Sequence, residues 1–267
     1  MEFHLTKKQA EPQGQWLLPV PSGESICYEE PLQSHIFPLL MSALGGGTWP
    51  YQFHGHYYRL RTNSKLIEEF VPASEHYKIS WMAMSQKYHG AFLAIKSLET
   101  NVAELTATYL ARRTFVGDQN QPKLVFTSEL YRLRTDFATL LFLIRSTLDQ
   151  FAAMVQFLSG PKARQFSSFA DVMTKCASDK PPEEIPDSLQ RHLTQRCSWF
   201  WRMRDVRDYI AHHGFVNLNL LQSPSAELKF FIHHRLDMLE LARELMHGFQ
   251  SLLAIADEAF AARVRDA

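Results

Sequence analysis

WFWRMRDVRDYIAHHGF, residues 199–215, is the stretch around which the rest of the chain is organised. At about 100° per residue, Trp199, Met203, Val206 and Ile210 fall on one narrow stripe, the apolar seam of a packed helix. Arg204, Asp208 and His212, spaced i, i+4, i+8, line the opposite side, with Arg207 on the shoulder between. Gly214 follows the paired histidines where a helix stop belongs. A polar line pointing away from its own core must face solvent, a partner chain or a ligand. Two readings stand open at this point. Either Asp208 and His212 are an ordinary i, i+4 surface pair near a helix C-terminus that favours cations, or the polar line is a site.

Outward from this helix the chain reads as helical. Residues 128–158 predict a long helix whose buried stripe is Phe137, Leu141, Ile144, Leu148, Phe151, Val155 and Leu158, ended by Gly160-Pro161. Residues 74–114 predict another, with a seam through Ile79, Met82, Gln86, Phe92, Ile95, Leu98, Val102, Leu105 and Tyr109. A short helix is expected over 166–177. The motif-bearing helix is expected to run unbroken from Asp187 to about His213. Beyond Gly214 the period changes to two, and with a turn at 222–225 this predicts a β-hairpin. A last helix, 234–265, carries Leu236, Leu239, Ala242, Met246, Phe249, Leu253, Ala256, Phe260 and Val264 on one side. Four long helices with one apolar seam each predict a mainly α chain, a four-helix bundle with a small hairpin after the motif helix.

Residues 1–73 differ. Seven prolines and Gly45-Gly46-Gly47 break any long helix there, so the expectation is an irregular N-terminal appendage on a helical domain spanning 74–267. Strands are expected at 15–20 and 57–60, and a short helix at 32–44. His54-Gly55-His56 has no further ligand at metal-site spacing and reads as a loop pair. Cys27, Cys176 and Cys197 are odd in number without metal spacing, as free thiols in a reducing compartment would be. The N-terminus lacks a signal-peptide core, and the apolar run 137–144, closed by Arg145, falls short of a membrane span. A soluble, cytoplasmic protein without membrane contact is expected.

Formal net charge is zero, which disfavours a protein that coats nucleic acid by bulk charge. Locally the balance differs: Arg191, Arg196, Arg202, Arg204 and Arg207 face only Asp205 and Asp208 on the motif helix. A basic helix on a neutral protein suits a localised anionic substrate, as it also suits plain solvation. No Gly-x-Ser-x-Gly elbow and no Gly-rich phosphate loop are present. A di-iron carboxylate site needs Glu-x-x-His on two helices, and the chain supplies only Glu244 to His247.

The run Arg207-Asp208-Tyr209-Ile210-Ala211-His212, late on an amphipathic helix of an all-helical chain, resembles the motif of the HEPN superfamily: Arg, a polar residue, a short spacer, then His. Ile144 to Asp149 resembles the polar segment on a core-flanking helix of many HEPN-like proteins; Arg145 and Asp149, at i, i+4, read equally as a pair reaching a neighbouring helix or as a simple intrahelical salt bridge. The resemblance spans residues 74–265 and leaves 1–73 unexplained. It implies a metal-independent endoribonuclease of toxin or antiviral-defence type, with RNA as substrate, no cofactor, and the motif at a homodimer interface. Arg207 and His212 would be catalytic with Asp208 as the polar neighbour, and Arg204, His213, Arg145 and Asp149 would surround the substrate. An antitoxin or defence-system protein would be a further partner. The chemistry is consistent: RNA carries its own nucleophile, so an imidazole for proton transfer and a guanidinium for the phosphate suffice. His213 also satisfies a slightly longer spacing from Arg207. It lies nearer the apolar seam, which favours His212. The tyrosine that some members carry two residues past the motif histidine is here Gly214, so regulation by its modification is unsupported. Inactive members that serve as dimerisation or RNA-binding modules supply the alternative.

Overall fold

The computed structural model describes residues 6–7, 16–19, 25–28, 64–113, 127–159, 166–216, 218–222, 228–233 and 236–266. Over these residues the chain is mostly helical with two small antiparallel sheets, and it divides into two compact units, Met1–Pro50 and Tyr51–Ala267. In the first unit, β1 (Thr6–Lys7), β2 (Trp16–Pro19) and β3 (Ser25–Tyr28) pair antiparallel, with Leu17 opposite both Thr6 and Cys27. β2 falls within the strand expected at 15–20, and its pairing with β1 and β3 was not anticipated. Proline and glycine prevent long helices, but they also bound short apolar runs of the kind that pair as strands. The anticipated helix at 32–44, the strand at 57–60 and the His54 and His56 pair lie outside the described residues.

In the second unit, α1 (Ser64–Arg113) and α2 (Thr127–Ser159) form a long antiparallel pair. Ser97 and Asn101 of α1 donate to the Asp136 carboxylate of α2 at 2.8 and 2.7 Å. Helix α1 starts at Ser64, not Ser74, and runs through Pro72. The proline removes the N–H that the Glu68 carbonyl would accept, a single gap that a helix already propagating beyond it tolerates. The expected seam of α1 is also corrected in its first half. Met82 is 40% exposed, and the buried line is Ser80, Met84, Ser85, Tyr88, His89, Ala91 and Ala94. Small side chains let α2 approach closely: a Cβ on Gly90 would stand 2.9 Å from Leu143 Cδ1. Helix α2 matches its expected bounds within one residue, and Phe137, Leu141, Ile144, Leu148, Phe151 and Val155 are all buried. By length and composition Leu130–Gln156 of α2 could cross a membrane, at a mean hydropathy of 1.3, which the shorter 137–144 run does not suggest. Half of that stretch is buried inside the helical unit.

Helix α3 (Phe169–Cys176) begins on two caps: Ser168 Oγ accepts from the Asp171 N–H, and Asp149 of α2 accepts from the Phe169 N–H at 3.4 Å. The expected long third helix is in fact two, α4 (Asp187–Arg196) and α5 (Trp199–His213), parted at Cys197-Ser198. Leu189, Leu193 and Cys197 lie on one stripe, whereas Trp199, Met203, Val206 and Ile210 centre about 100° away around a continuous helix. A straight rod would expose one set; the break buries both. Burial holds the Cys176 thiol up at about 11 and that of Cys197 at about 12.

After α5, β4 (Leu218–Gln222) and β5 (Leu228–Ile232) form the expected hairpin pairing, and β6 (Leu236–Asp237) adds an unforeseen third strand. The last helix, α6 (Met238–Asp266), therefore starts later than residue 234. Asp237 Oδ1 accepts the N–H groups of Leu239 and Glu240, and a residue that caps this way stands outside the helix it begins. Ala242, Met246, Phe249, Leu253, Ala256 and Phe260 are buried along α6 as its periodicity requires.

Helix α6 passes very close to α5 at Gly248. A Cβ there would sit 2.4–2.7 Å from the Trp199 indole, a rigid ring that is 3% exposed. Gly248→Ala therefore sets overpacking of about 1–3 kcal/mol against a helix-propensity gain of about 1 kcal/mol. A net loss of stability is expected in urea unfolding; a midpoint at or above that of the wild type would contradict this contact.

Candidate functional site

Two faces of α5 carry different chemistry. Its inner face is apolar and includes Phe200, fully buried, which the sequence reading leaves off the seam. The Phe200 ring meets Phe169 edge-on at 4.9 Å and supports the Arg145 guanidinium at 5.5 Å. This stacking is how α2 delivers Arg145 to the motif helix.

The outer face gathers three arginines and two aspartates. Asp208 pairs with Arg207 Nη1 at 2.8 Å and with Arg204 Nε at 3.5 Å, and Arg145 pairs with Asp149 at 2.7 Å. Arg204 also lies over the Trp201 ring, at 5.6 Å. Arg145 is 14% exposed on its side chain. Burial pulls its guanidinium below the ordinary arginine value, Asp149 and Asp208 oppose that, and the like charges of Arg207 and Arg204 add to it. The three arginines and two aspartates are thus one electrostatic group carrying a net positive charge. The Nε atoms of Arg145 and Arg207 are buried and lack a hydrogen-bond partner among the described residues. The partly exposed guanidinium groups of Arg204 and Arg207 remain within reach of an anion such as a phosphate.

The histidines divide. His213 Nδ1 donates to the Tyr209 carbonyl at 2.9 Å, its ring stacks on Tyr209 at 4.1 Å, and Tyr209 meets His233 edge-on at 4.4 Å. His213 thus closes the helix end, together with the Gly214 N–H on the Ile210 carbonyl at 2.7 Å and the left-handed Gly214, φ +79°. His212 is exposed and makes no hydrogen bond or ion pair among the described residues. The chain therefore joins Arg145, Asp149, Arg204, Arg207 and Asp208, seats His213 in an aromatic stack, and leaves His212 apart. On one helix Arg207 and His212 project about 140° from each other.

A separate groove of about 590 Å³ lies between α2 and the end of α5, lined by α2 residues from Tyr131 to Leu143 and by Ile210, Gly214, Phe215 and Val216. Tyr131, Phe142 and Phe215 are exposed there, at 66%, 43% and 51%. Sequence reasoning missed it, and it missed the Tyr209–His233 contact. Tyr131 and Phe142, eleven residues apart, were legible as one helical line; His233 comes to α5 only through the hairpin.

No group of three or more His, Cys, Asp or Glu side chains suited to a metal ion occurs among the described residues, and Glu244 of the Glu244–His247 pair is instead ion-paired with Arg202. Comparison with protein-family models, curated proteins and solved structures finds no match to this chain.

Proposed function

We propose that the chain is a metal-independent endoribonuclease of toxin or antiviral-defence type, built on an HEPN-like bundle and working as a homodimer in the cytoplasm. The observation that carries this reading is the convergence of Arg145 of α2 with Arg204 and Arg207 of α5 around two carboxylates, with the exposed His212 near the end of α5. In this chemistry the ribose 2′-hydroxyl oxygen bonds to phosphorus and the bond to the 5′-oxygen breaks. The proton leaving the 2′-oxygen is balanced by one gained at the 5′-oxygen. His212 moves one of these protons, and Arg207 neutralises the charge that grows on the phosphate.

The angle of about 140° between Arg207 and His212 argues for two copies, because a single helix cannot aim both at one phosphate. Two motif helices about a two-fold axis let Arg207 of one protomer meet His212 of the other in a cleft that excludes water, and a two-fold contact is the commonest homo-oligomer geometry. Asp208 and Asp149 offset the repulsion of approaching arginines. A second protein, an antitoxin or a defence-system component, belongs to the same proposal as a partner. The same separation favours the second reading, a dimerisation or RNA-binding module without catalysis, if the protomers never bring the two side chains together.

Incubation with total RNA in excess EDTA discriminates between these. Cleavage leaving 2′,3′-cyclic phosphate ends is expected. Binding without cleavage supports the module, and activity that depends on added metal overturns the mechanism. Light scattering at assay concentration tests the assembly, which a fully active monomer would refute.

A further inference from the structure

We infer that the groove between α2 and the end of α5 is a stacking subsite for unpaired nucleobases, feeding a single strand to the arginine cluster; this rests on the ribonuclease reading and specifies how its substrate is held. Arg134 links the groove's aromatic residues: its guanidinium lies 5.9 Å from the Tyr131 ring centre and 5.3 Å from that of Phe215. The Arg134 Nε is buried with no hydrogen-bond partner among the described residues. Phe142 forms the far wall and stands one helical turn, roughly 5 Å of rise, before Arg145. Aromatic faces for bases and guanidinium groups for phosphates therefore follow one another along α2, over roughly 16 Å from Arg134 to Arg145. That alternation is what a flexible polyanion with flat apolar side groups requires, and it discriminates against a duplex, whose bases are already stacked. A purely apolar partner would leave the Arg134 guanidinium, set against the Tyr131 and Phe215 rings, without a counter-charge. A nucleic-acid strand offers base and phosphate acceptors along its whole length.

The test uses the whole protein and a fluorescent oligodeoxynucleotide, which lacks the 2′-hydroxyl and so is bound without being cut. Anisotropy should report tighter binding of the single strand than of the same sequence as a blunt duplex. Phe215→Ala and Tyr131→Ala remove exposed side chains that the core does not need, and each should weaken single-strand binding about 5-fold to about 100-fold. Phe215→Tyr should restore it, and unchanged circular dichroism would exclude misfolding. Unchanged affinity in both alanine variants, or equal binding of the duplex, overturns the subsite. So does a changed oligomeric mass with unaltered affinity, which would make the groove a protein contact. The two proposals fail separately. Strand binding through Phe215 in a protein that never cuts RNA leaves the subsite and removes the nuclease. RNA cleavage that ignores Phe215→Ala does the reverse.

Discussion

Arg207→Ala and His212→Ala are each expected to abolish RNA cleavage while leaving the protein folded. Loss of a general acid or base costs about 10²–10⁴-fold, and loss of a preorganised cation at the developing phosphate charge costs about 10²–10³-fold. Neither side chain belongs to the core. His212 is exposed, and Arg207 gives up one ion pair with Asp208, a contact between partly exposed groups worth at most about 1 kcal/mol. Thermal unfolding should therefore hardly move while the rate collapses.

The sharper form of this experiment mixes the two inactive variants. If Arg207 of one protomer works with His212 of the other, a mixed dimer contains one site lacking both groups and one site intact. Random exchange makes half of the dimers mixed, so about a quarter of wild-type activity should return. If both groups act within one chain, every site in the mixture is missing something and no activity returns. The angle of about 140° between the two side chains leads us to expect recovery.

How much of this was legible beforehand depended on what each helix packs against. The seam of α2 from Phe137 to Val155 and that of α6 from Ala242 to Phe260 could be read from periodicity, whereas Leu236 falls in β6, Leu239 is only half-buried, and the buried Leu241, Leu245 and Leu252 were left off. The first half of α1 misled. Its buried face mixes Met84, Tyr88 and His89 with Ser80, Ser85, Ala91 and Ala94, so small and polar residues stand where a hydrophobic period looks for large apolar ones. The break at Cys197-Ser198 was present in the sequence as two stripes out of phase, but a period measured over the whole stretch averages them together. On α5, spacing alone placed Arg204 and Asp208 on one face, where they form an i, i+4 ion pair. The delivery of Arg145 by a stack on Phe200 was not legible, since it depends on how α2 and α5 run antiparallel past each other.

That stack underlies the second large effect. Phe200→Ala is expected to destabilise the helical unit by about 3–5 kcal/mol, the range for removing a buried phenyl ring and leaving a cavity. The ring is fully buried against Phe169, and Phe169 in turn meets Phe151 edge-on at 5.9 Å, so three aromatic rings tie α2, α3 and α5 together. Removing the ring at the α5 end of this chain loses the edge-to-face contact with Phe169 besides the apolar area. The Arg145 guanidinium also loses its aromatic floor, while Asp149, which holds it, is at the same time an acceptor for the first N–H of α3. Stability and site geometry are therefore coupled through one side chain. Phe200→Leu keeps most of the volume but no π face. It should recover the greater part of the lost stability and little of the placement of Arg145. Urea unfolding measures the first. RNA affinity measures the second: if Phe200→Leu restores stability and RNA binding in equal proportion, the ring acts only as filler, and Arg145 is held by Asp149 alone.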